Sequence, residues 1–378
     1  MAHNNSRTIR YGIIGTGLMG CEHIRNLVAI PETRVAAIAD PHGPSREAAN
    51  ASVPPGYPDM TEFDDYRDML RSDFVDAVVI STPNFTHAAV LGDIFDLAPH
   101  LHVLVEKPLC TTINDARRVV ERTRAHHGVV WMGLEYRYMP PVAQFLHELT
   151  HANIGTLRMI SIREHRFPFL IKVGDWNRFS ANTGGTLVEK CCHFFDLMNL
   201  AVGVRPTRVY ASGGQDVNHL DERYPGNPAG EIPDILDNAF VVVDYVNGAR
   251  GLLDLCMFAE ASKNEQELVA VGDQGKVESK VTEGTVTIGR RGPSRSDGWP
   301  GQPTLIELDA SSDDRVAHVG YHHGASYLEH LGFLEAIRSS NPPAVTVEEG
   351  LWSVAVGVAA HRSIEEGRPI LLAEFGLA

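Results

Sequence analysis

The sequence predicts an α/β chain in two parts: a parallel sheet with crossover helices as far as about residue 132, then an antiparallel α+β domain. Three observations carry this expectation. Up to residue 132, short apolar runs alternate with stretches of helical spacing, the pattern of repeated βαβ units. Beyond residue 140 the apolar runs lengthen, and two are joined by Asn247-Gly248, a strong hairpin signal. A glycine-rich turn, Gly15-Thr16-Gly17-Leu18-Met19-Gly20, falls where the first strand meets the first helix.

Taken in order, the strands of the first part are expected at residues 8–14, 34–39, 76–80, 102–105 and 129–132. Helices are expected between them at 18–30, 86–97 and 112–126. The second part opens with a helix at 140–151 and continues with strands at 156–164, 239–246 and 250–258. Stretches 213–233 and 289–302 are rich in Gly, Pro, Asp and Asn and are read as loops. Amphipathic helices at 327–337 and 348–366 close the chain, and there is no internal repeat.

Length and charge bound the function. The 378 residues suffice for two or three domains with sizeable cores. A net charge of −15 repels phosphate backbones and anionic lipid, so neither nucleic acid nor membrane is expected as a partner. No apolar run approaches the roughly 18 residues of a membrane span, and the polar start, residues 1–10, is no signal-peptide core, so a cytoplasmic location is expected. Cys21, Cys110, Cys191, Cys192 and Cys256 form an odd set without a CxxC pair, which points to free thiols.

The glycine turn has a mechanical reading. Gly15 permits the tight turn, Gly17 lets the backbone approach a pyrophosphate, and Gly20 allows close helix–strand packing, while the helix start at Leu18 and Met19 offers N–H groups to the anion. Asp40, at the end of the second strand, completes a dinucleotide fingerprint and a Rossmann-type first domain. A carboxylate there accepts ribose hydroxyls and repels a 2′-phosphate, favouring NAD over NADP. Arg46 is the competing signal, since it reaches a phosphate if the loop after Asp40 folds back.

Two further strand ends face the same sheet edge. Ser81, Thr82 and Asn84, with His87 on the next turn, are expected at the cofactor, although Asn84 also suits a helix cap. Glu106-Lys107-Pro108 places a cation where it can polarise a substrate oxygen and position the nicotinamide ribose.

In the second part, a helix following Gly184-Gly185 would put Glu189 and His193 four residues apart on one face, as an acid/base dyad, with Asp196 supporting the histidine. A half-buried structural histidine, a surface Glu–His pair and a metal pair are the rival readings. HExxH is absent and no third ligand is marked, so no metal is expected. The doublets His126-His127 and His322-His323 read as turn or helix-end residues.

Together the glycine turn, Ser81–Asn84 with His87, Glu106-Lys107-Pro108 and the run from Gly184 to Asp196 resemble the Gfo/Idh/MocA family of sugar and inositol dehydrogenases. The resemblance extends through Asp237-Asn238-Ala239, Gly272–Gly275 and Glu366–Pro369 and so covers nearly the whole chain. It implies a Rossmann domain at 1–132 and a domain at 133–378 whose large, mostly antiparallel open sheet forms a homo-oligomer interface, in a tetramer or dimer. It also implies Lys107 as catalytic lysine and His193 as acid/base. Glu189 stands where the family commonly has Asp, and Lys190 where it has an apolar residue; Lys190 is expected either as a second cation at the site or in a salt link with Glu189.

Around the implied polyol pocket, Lys107, Tyr136, Arg137, Arg163, His165, Trp176, Arg178, Glu189 and His193 are expected, since ring faces take C–H groups and charges bond hydroxyls. Trp176, Arg178, Tyr321 and His322 also suit loop or interface roles. The expected activity is NAD-dependent oxidation of a secondary hydroxyl on a sugar, anhydrosugar, glycoside or inositol. The rate should fall at low pH with a midpoint in the histidine range. Ketone reduction, an NAD-assisted glycosidase and a non-catalytic NAD- or sugar-responsive regulator share the same motifs.

Overall fold

The computed structural model describes residues 7–151, 154–339 and 341–377; residues 1–6, part of the polar start, lie outside the described residues. The first part comprises β1 (Ile9–Ile14), α1 (Leu18–Val28), β2 (Thr33–Ala39), α2 (Gly43–Asn50), β3 (Thr61–Phe63), α3 (Tyr66–Leu70), β4 (Ala77–Ile80), α4 (His87–Leu97), β5 (His102–Glu106), α5 (Ile113–Thr123) and β6 (Val130–Gly133). All six strands are parallel, in the order β3-β2-β1-β4-β5-β6. The order reverses between β1 and β4, and a ligand crevice opens there at the carboxyl ends of the strands. Each strand expected in this part is present. Strand β3 escaped notice because it is three residues long and has no fully buried side chain to create an apolar run.

The second part comprises α6 (Pro140–His151), β7 (Leu157–His165), the one-turn helices α7 (Ser180–Thr183) and α8 (Thr186–Glu189), α9 (Cys192–Val202), β8 (Pro206–Gly214), β9 (Asn238–Tyr245), β10 (Arg250–Cys256), β11 (Gln266–Gly272), β12 (Gly275–Lys280), β13 (Thr285–Arg290), β14 (Thr304–Asp309), α10 (Ala325–Ser339), α11 (Val347–Glu366) and β15 (Ile370–Leu371). Nine strands form one open sheet in the order β14-β13-β12-β11-β7-β10-β9-β8-β15. Only the β7–β10 pair is parallel among the described residues. The β9–β10 hairpin turns at Gly248, whose φ of 80° is the left-handed conformation that glycine adopts without strain. Strands β8 and β13 run two residues into the stretches read as loops.

Alternation builds the core. Ile160 and Ile162 of β7, Val241 and Val243 of β9, and Leu253 and Leu255 of β10 turn inward, as a period of two requires. Helix α11 packs against α9 and β8 on one side and α5 on the other, tying the two halves together. Its start is fixed by a capping box: the Glu349 N–H donates to Thr346 Oγ1 (3.2 Å) and the Thr346 N–H to Glu349 Oε2 (2.8 Å), a device worth about 1 kcal/mol. Gly357 lets α11 reach α8, because a Cβ there would stand 2.5 Å from the Leu187 carbonyl oxygen.

Candidate active site

The three glycines of the turn behave differently. A Cβ on Gly15 would lie 2.8 Å from the Ser81–Thr82 backbone, and one on Gly20 would strike the Gly15 carbonyl oxygen at 2.1 Å, so both are demanded by packing. A Cβ on Gly17 would meet nothing within 4 Å, leaving open space where a ligand backbone can approach. Helix α1 starts here without a side-chain cap, so its first N–H groups face the crevice. Asp40 Oδ2 accepts from the Thr16 N–H (2.8 Å) and hydroxyl (3.3 Å), and Oδ1 accepts from the His42 N–H (2.8 Å). The carboxylate is thereby oriented with lone pairs left for a ribose diol.

Arg46 does not turn toward that diol. Its guanidinium donates to the Asp40 carbonyl oxygen (2.5 Å) and pairs with Glu62 (3.1 Å) and Asp64 (2.7 Å). With its charge already matched twice, it is a poor ligand for a 2′-phosphate, and the donor set fits NAD.

Gly15, Gly17, Leu18, Met19, Asp40, Ser81, Thr82, Asn84, Glu106, Lys107, Trp176 and Glu189 line one cleft of about 380 Å³, within the usual range of ligand sites. Asn84 keeps its buried side-chain N–H group unpartnered, free for a ligand. One expected cofactor contact is corrected. His87 is fully buried, its ring nitrogens 2.8 Å from the Pro108 carbonyl oxygen and 3.0 Å from that of Thr82. It braces two cleft loops against each other without lining the cleft. Glu106 stays in the cleft lining, its carboxylate bonded to His23 (2.9 Å) and to its neighbour's N–H (3.1 Å).

Lys107 Nζ donates to the Glu189 carbonyl oxygen (3.3 Å), so the first part's lysine meets the second part's segment that runs from Gly184 to Asp196. That segment is not one helix. Lys190 and Cys191 separate α8 from α9, so the four-residue spacing does not stack Glu189 on His193. Glu189 Oε2 and His193 Nδ1 are both buried without a hydrogen-bond partner, and the expected dyad is not formed. Burial pushes the Glu189 carboxyl up against the opposing pull of Lys107, Lys172, Arg178 and Arg166. Burial pulls His193 well below the ordinary histidine value, and the charge of Lys107 lowers it further.

Other groups surround the histidine. The Tyr136 ring stacks on it, and Lys190 Nζ donates to the Tyr136 hydroxyl (2.7 Å) while pairing with Glu164 of β7 (2.9 Å). Lys190 therefore links to Glu164 and not to Glu189. Asp196 does not support His193 either: it pairs with Arg137 (2.5 and 2.7 Å), which also holds Glu349 (2.8 Å). The carboxylate whose charge bears on His193 is Glu135, bonded to the Ser326 hydroxyl and lying 3.1 Å from His322 Nδ1. Burial pushes Glu135 up, but the neighbouring His322 and the Ser326 hydroxyl outweigh it and hold it below the usual carboxylate range.

Arg163 and His165 are corrected. Glu164 turns inward to Lys190, so its neighbours on β7 turn outward. There Arg163 pairs with Asp254 (3.0 Å) and Glu267 (3.2 Å), and His165 lies 3.0 Å from Asp254, on the sheet face away from the cleft. Arg178 is buried and committed to Glu222 (3.0 Å), outside the cleft lining. Lys172 lines the cleft and was missed, because a lysine in an irregular loop carries no periodic signal. Among the described residues no cluster of His, Cys, Asp or Glu is arranged to hold a metal.

Residues 9–134 match the profile of the oxidoreductase family with an NAD-binding Rossmann fold, and residues 148–372 that of the oxidoreductase family's C-terminal alpha/beta domain, both of the Gfo/Idh/MocA group. The chain is 27% identical over 370 residues to a myo-inositol 2-dehydrogenase of Thermotoga maritima, covering 97% of this chain and 99% of that one. It is 25% identical over 370 residues to a scyllo-inositol 2-dehydrogenase (NAD(+)) of Bacillus subtilis, covering 96% of each. Among solved structures it resembles levoglucosan dehydrogenase in complex with NADH and levoglucosan, with TM-score 0.78, 19% identity, and 96% and 99% of the two chains covered.

Proposed function

Because the chain belongs to the Gfo/Idh/MocA oxidoreductase family and is an NAD-binding oxidoreductase, we propose that it oxidises a secondary hydroxyl of a sugar, anhydrosugar, glycoside or inositol. The observation that carries this reading is the meeting of Lys107 with the Glu189–His193 segment at the end of a cleft that begins at Gly17 and Asp40. Relatives named as inositol dehydrogenases support the substrate class.

When bound, NAD supplies the hydride acceptor. Held neutral by burial and by the charge of Lys107, His193 takes the hydroxyl proton. The Lys107 ammonium stabilises negative charge growing on the substrate oxygen, an effect typically worth about 3 kcal/mol. Tyr136 fixes the imidazole plane from one face, and Trp176 offers a ring in the cleft wall for the C–H side of a polyol. Run backwards, the same groups serve ketone reduction.

The same reading divides the chain into a cofactor domain, 1–132, and a substrate and oligomerisation domain, 133–378. It also makes the outer sheet face a homo-oligomer contact, in a dimer or tetramer. Tyr210, Phe240, Val242 and Leu252 are exposed there on adjacent strands, an apolar patch that association would cover. No described helix is long and apolar enough to cross a membrane, and five free cysteines suit the reducing cytoplasm.

The test is NADH formation by the purified protein with NAD and a panel of inositols, hexoses, anhydrosugars and glycosides. Turnover of at least one member is expected. Silence across the panel from protein that binds NAD in a thermal-shift assay contradicts the proposal.

A further inference from the structure

We propose that the cleft selects an anionic polyol, one bearing a carboxylate or phosphate, and that Lys172 binds the anionic group. The inference deepens the dehydrogenase reading and rests on it. Lys172 lies in the loop after β7, where Ile171, Lys172, Val173 and Trp176 line the cleft together with Lys107 and Glu189. The loop is folded back on itself: the Asp175 N–H donates to the Lys172 carbonyl oxygen (3.0 Å), and Gly174 and Asp175 adopt left-handed φ values of 68° and 49°. This tight turn holds the lysine at the cleft wall.

Apart from Lys107, whose ammonium donates to the Glu189 carbonyl oxygen, the buried cations around the site have acids. Lys190 has Glu164, Arg178 has Glu222, and Arg137 has Asp196 and Glu349. The half-buried Lys172 makes no side-chain hydrogen bond or ion pair among the described residues. The charged groups facing it are Lys107, Glu189, Glu106 and Arg166. Glu106 is spent on His23 and the Lys107 N–H. Glu189 stands beyond ion-pair distance, with burial raising its pKa and weakening it as a counterion. Arg166 faces Glu164 (3.8 Å), which leaves Lys107 and Lys172 as two cleft cations without an acid in contact, and a cleft ammonium with no counterion is open to an anionic ligand group.

The cofactor's pyrophosphate is not that counterion. It belongs at Gly17 and the start of α1, whereas the groups acting on Lys172 sit at the Lys107–Glu189 end. What remains at that end is substrate. A carboxylate or phosphate on the polyol would take charge-assisted hydrogen bonds from Lys172.

The test titrates NAD-loaded protein calorimetrically with matched pairs, glucose against glucuronate and inositol against inositol monophosphate, and measures kcat/KM for every member turned over. The anionic member of at least one pair should bind about tenfold tighter or more. Lys172→Met should remove most of that preference and Lys172→Arg should keep it. The pair that shows the effect tells carboxylate from phosphate. Equal binding of both members, no binding of any, or equal weakening of both by Lys172→Met overturns the inference. So does a Lys172→Met protein that loses NAD affinity while keeping the preference. Oxidation of neutral polyols without charge preference leaves the dehydrogenase reading intact. Binding with charge preference but no oxidation sinks that reading and leaves the assignment of Lys172 standing.

Discussion

The phenol ring of Tyr136 lies flat against the imidazole of His193, with ring centroids 3.9 Å apart and planes 5° from parallel. The stack closes one face of the imidazole to water, and burial with the nearby Lys107 charge lowers its pKa well below 6.5. A base already neutral at pH 6.5 gains nothing from further alkali. The acid limb of kcat/KM is therefore expected below pH 6.5, and not at the ordinary histidine midpoint that sequence alone suggests. A pH–rate profile whose limb falls at or above 6.5 contradicts this.

Lys190 and Glu164 form a buried ion pair beneath that stack. Removing Lys190 leaves Glu164 only the longer Arg166 contact (3.8 Å), so Lys190→Met should destabilise the fold by about 3 kcal/mol in denaturant unfolding. Lys190→Met with Glu164→Gln should recover most of the loss. A double variant as unstable as the single one would mean that the pair is not the relevant unit.

In the proposed cofactor site Arg46 is held by Glu62 and Asp64, which leaves the Asp40 carboxylate to discriminate at the ribose. Asp40→Ala should raise the KM for NAD by about tenfold or more and shrink the preference over NADP. Unchanged preference in steady-state kinetics with both cofactors would count against the assignment.

His361 on α11 accepts the Leu187 N–H at 3.0 Å, and burial pulls its pKa down to about 4. Below pH 6.5 the unfolded chain binds this proton and the folded one does not. Its stabilisation is thus complete above 6.5 and is lost as pH falls toward 4, at about 1.4 kcal/mol per pH unit. On going from about pH 7 to about pH 5, the wild-type protein should lose about 2 kcal/mol more than His361→Gln. Equal losses would show that this histidine is not held neutral.

The parallel strands and the cofactor end were legible because glycine geometry and strand-end polarity are local signals. The second part was legible only as far as local periodicity reaches. One residue of register on β7 decides between faces, and the sequence reading took Arg163 and His165 where the fold turns Glu164 inward. The break between α8 and α9 separates Glu189 from His193 although both flanks read as helix. Lys172 and Glu135 reach the site through long-range packing, which leaves no mark on the local pattern.

The central claim is that Lys107 and His193 act together on a polyol hydroxyl. Its most direct test is kcat for NADH formation by wild type, Lys107→Ala and His193→Ala on a polyol that the wild-type protein oxidises. The account predicts a fall of about a hundredfold or more in each variant. Near-wild-type kcat in either would contradict it.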